Sequence, residues 1–292
     1  MNKSNYYNDK HFEELSTYIL QNKTCIFDDL GIFEVINDKG RQIQGIDYIG
    51  SVDGIISNID SKFIACSIPT FSMEISGNKH SGQMGWLIND NLKTDYYLLV
   101  YFTVKGYEHD YYLAKNTMTM QNIQKIEGYL IKKEKIRNII EARFGDLHDY
   151  ANKIRAMNIE SNKTMRFDEN MQIVTNTKYL DMYCAISCGI YEQPINIIVK
   201  RSILSDIATM EWNIDIKQNE ENPVPSLSDL HMNNWLLEKQ SDAFKNAYYN
   251  DNYKMEIIYE TEKAINIVIY NDEDISDKWN MWLPKSQIHY PS

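Results

Sequence analysis

The chain is poor in the residues that mark specialised classes of protein. Its 292 residues include 4 cysteines, 6 prolines and 12 glycines. Cys25, Cys66, Cys184 and Cys188 are too few to staple a chain of this length, which excludes a disulfide scaffold. Cys184-Ala185-Ile186-Ser187-Cys188 is not Cys-x-x-Cys, and no second pair exists, so a zinc site is not expected. His11, His80, His109, His148, His231 and His289 are scattered, with no pair at ligand spacing. No apolar run approaches about 18 residues, so no membrane-spanning helix is expected. Met1 to Lys10 is polar and lacks the apolar stretch of a signal peptide. The default compartment is therefore the cytoplasm. Neither of the usual glycine-rich nucleotide loops occurs, nor a Gly-x-Ser-x-Gly elbow.

Positive charge is also short. The chain has 30 Lys/Arg against 41 Asp/Glu, a net of −11. A basic footprint is the usual mark of a nucleic-acid binder, so the sum argues against one. The distribution weakens that objection. Residues 205–292 hold 16 acids and 7 bases, whereas residues 1–204 hold 25 and 23. The first two thirds are close to neutral, and the acidity belongs to the last third.

What is present suffices for a core. Hydrophobic residues make up 43% of the chain, which excludes disorder throughout. Residues 9–22 read as an amphipathic helix, with Phe12, Leu15, Tyr18 and Ile19 at i, i+3, i+4 spacing and Asp9 as its cap. Ile32–Ile36 reads as a strand closed by the turn Asn37-Asp38-Lys39-Gly40. Residues 41–49 alternate with period 2 and read as another, Gln44 and Asp47 falling on opposite faces. Ile55 onward and Phe71–Ser76 read as strands, and 76–94 as a loop containing Trp86. Asp95–Val104 is the most apolar run and has the length of a buried central strand, with Tyr96, Tyr97 and Tyr101 as core filler. Asn116–Phe144 reads as one helix ended by Gly145. Residues 165–201 read as further strands. The polar, proline-bearing stretch 219–225 is a linker, which places domains at 1–218 and 226–292. The second reads as a helix (227–249) followed by a β-hairpin from 253–260 and 264–271.

Chemistry concentrates in residues 44–76. If Ile55–Lys62 is one strand, Asp60 and Lys62 share a face, and Asp47 ends the preceding strand. Two carboxylates and an amine then converge. Carboxylates hold Mg²⁺ through hard oxygens. A lysine beside the ion can orient or deprotonate a water for in-line attack on a phosphate. On spacing alone, strand-end carboxylates facing solvent remain the bland alternative. Residues 125–143 hold Lys125, Lys132, Lys133, Lys135, Arg137 and Arg143 against Glu127, Glu134 and Glu141. They read either as a solvated face with i, i+4 pairs or as a phosphate-contacting surface.

The pieces Gln44-Gly45-Ile46-Asp47, Ile59-Asp60-Ser61-Lys62, Thr70-Phe71-Ser72-Met73-Glu74, Gly85-Trp86-Leu87 and Lys93-Thr94-Asp95-Tyr96-Tyr97 follow one another in order. With Glu192-Gln193-Pro194-Ile195-Asn196 as a later piece, this stretch resembles the PD-(D/E)xK nuclease superfamily, within it small bacterial or mobile-element-associated proteins. The likeness covers roughly residues 10–205. It implies an α+β fold: a restriction-endonuclease-like core, with a mixed central sheet flanked by helices and a crossover helix, to which the small C-terminal helix-and-hairpin module is appended. By position it implies Asp47 and Asp60 as ligands of Mg²⁺ or Mn²⁺, aided by the carbonyl of Ser61, with Lys62 as the catalytic lysine. An acid of the first helix, Glu14 or Glu13, is implied as a further ligand. Glu74 is either an additional acid or a structural hydrogen-bond partner. The first motif has Ile-Asp in place of Pro-Asp. The activity implied is metal-dependent hydrolysis of DNA. The alternative is a nuclease-like fold that no longer cuts and serves as a regulatory module, with the acidic C-terminal part binding a protein partner.

Overall fold

A computed structural model describes residues 3–107, 110–157, 159, 161–189, 191–216, 231–232, 234–248, 250, 252–260, 263–271 and 278–289. The expected linker at 219–225 lies outside the described residues. In chain order the elements are α1 (Lys3–Lys23), α2 (Ile26–Asp29), β1 (Glu34–Val35), α3 (Lys39–Ile43), β2 (Tyr48–Val52), β3 (Ile55–Ile64), β4 (Thr70–Asn78), β5 (Gln83–Met84) and β6 (Tyr96–Val104). There follow α4 (Tyr111–Thr117), β7 (Ile123–Lys132), α5 (Lys133–Phe144), α6 (Leu147–Ala156), β8 (Met165–Phe167), β9 (Met182–Ile186), β10 (Ile195–Lys200), α7 (Arg201–Ile207) and β11 (Met210–Asp215). The C-terminal part holds β12 (His231–Met232), α8 (Asn234–Glu238), α9 (Asp242–Tyr248), β13 (Tyr253–Glu260), β14 (Ala264–Asn271), β15 (Lys278–Pro284) and β16 (Ile288–His289). The fold is α+β.

The chain forms two compact units. One comprises residues 25–103 and 125–214; the other comprises 1–24, 104–124 and 215–292. The C-terminal segment thus joins with two earlier stretches rather than standing alone after residue 226. In that second unit, α1 buries Phe12, Leu15, Ile19 and Leu20, the i, i+3, i+4 stripe of an amphipathic helix. The antiparallel sheet β13-β14-β15 packs Ile265, Ile267 and Ile269 against Leu236 and Leu237 of α8 and Phe244 and Ala247 of α9.

The first unit is built on two sheets. The six-stranded sheet runs β1-β2-β3-β6-β7-β11 and the five-stranded one β5-β4-β10-β9-β8. The larger sheet is mixed: β2 pairs β3 antiparallel, and β3 pairs β6 parallel, Asp60 opposite Tyr97. Met73 and Ile75 of β4, Tyr97, Leu99 and Tyr101 of β6, Ile197 and Val199 of β10, Ile136 and Ile140 of α5 and Ile154 of α6 share one core. Strand β6, and β7 from Gly128 to Ile131, lie within the sheet and are covered on both faces, so their buried residues run without alternation.

Three expectations are corrected. Residues 41–49 are not one strand. Asp38 caps α3, its side chain accepting the Arg41 amide at 2.9 Å, and Ile43 is left 69% exposed. Gln44 closes that helix, so it shares no strand with Asp47. Residues 116–144 are not one helix, because Ile123–Lys132 is strand β7 and only Lys133–Phe144 is helical. Finally, the connection from β3 to its parallel neighbour β6 carries β4 and β5 and no helix.

Candidate active site

The larger sheet places the two aspartates face to face. The β2–β3 register sets Tyr48 opposite Ile59, and the Asp47 amide donates to the Ile59 carbonyl at 2.9 Å. The ladder ends there: Asp47 stands just before β2, and its carboxyl reaches the carboxyl of Asp60 on β3. Ser61, next along β3, fixes Asp47: its amide and its hydroxyl both donate to Asp47 Oδ2 at 2.8 Å. Lys62 shares the face of Asp60, and its Nζ donates to Asp60 Oδ1 at 2.7 Å.

The remaining pieces of the sequence motif close round this cluster. Gly45 sits at φ +73°, and Thr94 Oγ1 donates to its carbonyl at 2.8 Å. The Lys93 amide donates to Gln44 O at 2.8 Å, and Asn58 Nδ2 donates to Lys93 O at 2.9 Å. Asp95 Oδ2 accepts the Asn58 amide at 2.8 Å. The Lys93–Asp95 segment thereby ties the loop that carries Asp47 to the start of β3. Trp86 lies under Lys62, with Nζ 5.5 Å from the ring, and its carbonyl accepts the Tyr97 hydroxyl at 3.0 Å. The Trp86 and Tyr97 rings meet edge to face at 4.7 Å. Glu74 on β4 accepts a hydrogen bond from the Trp86 backbone and lies within reach of the Lys62 charge. Asn196 of the last piece pairs with Glu74 across β10 and β4.

Burial sets the electrostatics. Asp60 is 4% exposed, and burial pushes its carboxyl up to about 6. The neighbouring Asp47 carboxylate pushes in the same direction, and Lys62 opposes both. Burial likewise raises Glu74, against the Trp86 amide and Lys62. Lys133, at the start of α5, is held below its ordinary value by burial, while Asp90, Asp60 and Asp95 pull it back up. Its Nζ donates to Asn89 O at 3.0 Å. Two carboxylates facing each other in a largely buried place repel, and a divalent cation relieves that repulsion. One oxygen of Asp47 is engaged by Ser61 and one of Asp60 by Lys62, and the two carboxyls also interact with each other. Among the described residues no group of three or more His, Cys, Asp or Glu side chains is placed to hold a metal. Two carboxylates suit Mg²⁺, which keeps several of its waters.

Glu13 and Glu14 belong to α1, in the other unit, and both are exposed. Glu14 pairs with Lys10 at 3.4 Å. The bases expected on one helix are divided and mostly neutralised. Arg137 pairs with Asp90 at 2.6 Å and Glu141 at 3.0 Å, Arg143 with Glu169 at 3.1 Å, Lys132 with Glu134 at 3.5 Å and Lys125 with Glu127 at 3.3 Å. A cleft of about 420 Å³ beside Thr94 and Asp95 is lined by Lys132, Lys133 and Arg137 together with Glu134 and Glu141. The sequence pattern gives Trp86 a place in a loop and Tyr97 a place in the core, and reads Lys133 only as one base of a solvated or phosphate-contacting face. The first two sit inside quoted motif pieces. Nothing local sets Lys133 apart from its neighbouring bases, because only the pairing of β6 with β7 carries it to the site.

No family model matches the chain, nor does any curated protein or solved structure. Among the described residues no helix is long and apolar enough to cross a membrane.

Proposed function

We propose that the chain is a divalent-metal-dependent nuclease acting on DNA, with Asp47, Asp60 and Lys62 as its catalytic residues. The observation that carries this reading is the convergence of the Asp47 and Asp60 carboxyls with the Lys62 ammonium, Asp47 lying just before β2 and the other two on β3. A restriction-endonuclease-like core is supported by the antiparallel β2–β3 pair, with Asp47 just before β2 and Asp60 on β3, and by the parallel β3–β6 pair. The strand-containing crossover is its departure from that pattern.

Asp47, Asp60 and the carbonyl of Ser61 would hold Mg²⁺ or Mn²⁺. When bound, such an ion supplies positive charge against the phosphate and lowers the pKa of a water. Ser61 keeps Asp47 in one orientation through two donors. Lys62 turns its ammonium from Asp60 toward the attacking water and the phosphate oxygen. Trp86 keeps the lysine stem on the site and screens one side from solvent.

The test is incubation of the purified chain with single- and double-stranded DNA and Mg²⁺ or Mn²⁺. Wild type is expected to cut, and Asp60→Asn and Lys62→Ala are expected to lose at least about 100-fold in rate. Equal activity in wild type and variants, or none in any, defeats the assignment.

A second reading keeps the site but not the reaction. Lys62 is already held by Asp60, and Lys132 and Arg137 beside the cleft are matched by acids. A nuclease-like module that regulates a protein partner, contacted through its acidic C-terminal part, fits those pairs. Absence of Mg²⁺ and Mn²⁺ binding at millimolar concentration in calorimetry would favour it.

A further inference from the structure

β4 leads outward from the site. Glu74 is followed by a register shift against β10, beyond which lies Ser76. Glu74 lies near Lys62. Ser76 is buried, and its hydroxyl accepts Arg155 of α6 through Nε at 3.1 Å and Nη2 at 2.9 Å. Arg155 also donates to Gln83 O at 3.3 Å and Asn152 Oδ1 at 2.8 Å. All these acceptors are neutral. Arg137, Arg143 and Arg201 each meet a carboxylate, whereas among the described residues none pairs with Arg155. Burial without a counter-charge holds its guanidinium below its ordinary value. A half-buried guanidinium stays charged, so this one lacks an anion.

Beyond Ser76, the turn from β4 to β5 presents His80, whose ring lies 5.9 Å from that of Tyr191. Tyr191 is 82% exposed. The Lys79 amide donates to the Glu192 carbonyl at 2.8 Å, which holds the segment of Tyr191 against this turn. An anion-seeking guanidinium, on Ser76 and Gln83, and an exposed aromatic ring, against His80, are therefore both held by the β4–β5 hairpin. An exposed ring beside a cation suits an unpaired base and its phosphate, since bases within a duplex are already stacked.

We propose that this face binds single-stranded DNA as it leaves the catalytic site, with a backbone phosphate on Arg155 and an unpaired base stacked on Tyr191. The proposal rests on the nuclease reading and narrows its substrate to DNA with an unpaired strand.

The test measures binding without cleavage. The full chain in EDTA is titrated against fluorescein-labelled dT20 and against a blunt duplex, and anisotropy is read at several salt concentrations. Tyr191→Ala is expected to weaken dT20 binding at least about fivefold and to leave duplex binding unchanged. Arg155→Gln is expected to reduce the slope of log K against log salt by about 0.7, the value for one phosphate contact on a single strand. Arg155→Lys keeps the charge and is expected to restore the slope, which separates loss of a phosphate contact from loss of folding. No binding of dT20 by wild type, equal binding by Tyr191→Ala, equal loss on both DNAs, or an unchanged slope in Arg155→Gln overturns the proposal. Failure here leaves cleavage at Asp60 untouched. Cleavage absent while dT20 binding persists defeats the nuclease reading instead.

Discussion

Ser61 grips Asp47 twice, through its amide and its hydroxyl, both at 2.8 Å from Oδ2. The amide is fixed by the strand, but the hydroxyl is a choice of residue. It removes one rotational freedom from a carboxylate that stands opposite another carboxylate, and so leaves the second Asp47 oxygen aimed in one direction.

Ser61→Ala removes one of those two donors and leaves the other. Groups that orient a metal ligand typically contribute 10- to about 100-fold in affinity. The variant is expected to bind Mn²⁺ at least about tenfold more weakly in calorimetry, with its thermal midpoint close to wild type. Unchanged affinity would show that the hydroxyl orients nothing that matters to the ion.

Gly45 is the second lever. Its φ of +73° disfavours any Cβ, and one placed there would lie 2.4 Å from Thr94 Oγ1. The left-handed backbone costs a residue with a side chain about 1–2 kcal/mol, and the clash adds about 1–3 kcal/mol. Gly54, at φ +78° with nothing within 4 Å of its would-be Cβ, isolates the backbone part. Urea denaturation is expected to show Gly45→Ala losing clearly more stability than Gly54→Ala, and only Gly45→Ala weakening Mn²⁺ binding. Equal losses would mean that Thr94 yields without moving the loop that carries Asp47.

Much of the site was legible because it is local. Asp60-Ser61-Lys62 needs only strand alternation to bring carboxylate and amine together, and the β13–β14 pair falls on the residues whose alternation predicted it. The misread elements are those where burial or capping overrides alternation. Residues 41–43 alternate like a strand, yet Asp38 starts a helix there and Ile43 faces solvent. Strand β7 is buried on both faces from Gly128 to Ile131 and runs into α5 at Lys132, with no glycine, proline or side-chain cap to mark the change. The parallel pairing of β3 with β6 spans a second sheet, and no local pattern announces it.

Trp86 links the aromatic wall to the lysine. Its ring lies 5.5 Å from Lys62 Nζ, and Tyr97 holds its carbonyl at 3.0 Å. A partly desolvated cation over indole contributes about 1–2 kcal/mol. Trp86→Leu is expected to lower kcat about tenfold with little change in KM, while Trp86→Phe keeps a ring and recovers most of the loss. A change confined to KM would place Trp86 in substrate binding rather than in positioning Lys62.

Arg201 offers a test of the core independent of any activity. Its guanidinium lies 4.3 Å from the Tyr101 ring centre and pairs with Glu127, whose side chain is 15% exposed. Burial alone would raise Glu127, but the hydrogen bond and charge of Arg201, with Lys125, outweigh it and hold the carboxyl below its ordinary value. A carboxylate lowered on folding stabilises the native state above its unfolded pKa, about 4.3 for Glu, and loses that contribution as pH falls through the lower folded value. The urea midpoint of wild type is therefore expected to fall between about pH 5 and pH 3, and less steeply in Glu127→Gln. Arg201→Met leaves the half-buried Glu127 with only Lys125 as its counter-charge, which costs about 1–3 kcal/mol at pH 7. Arg201→Met combined with Glu127→Leu removes both charges and is expected to recover most of that loss. Equal pH slopes in wild type and Glu127→Gln, or no recovery in the double variant, would show that Arg201 acts by packing on Tyr101 rather than through its pair.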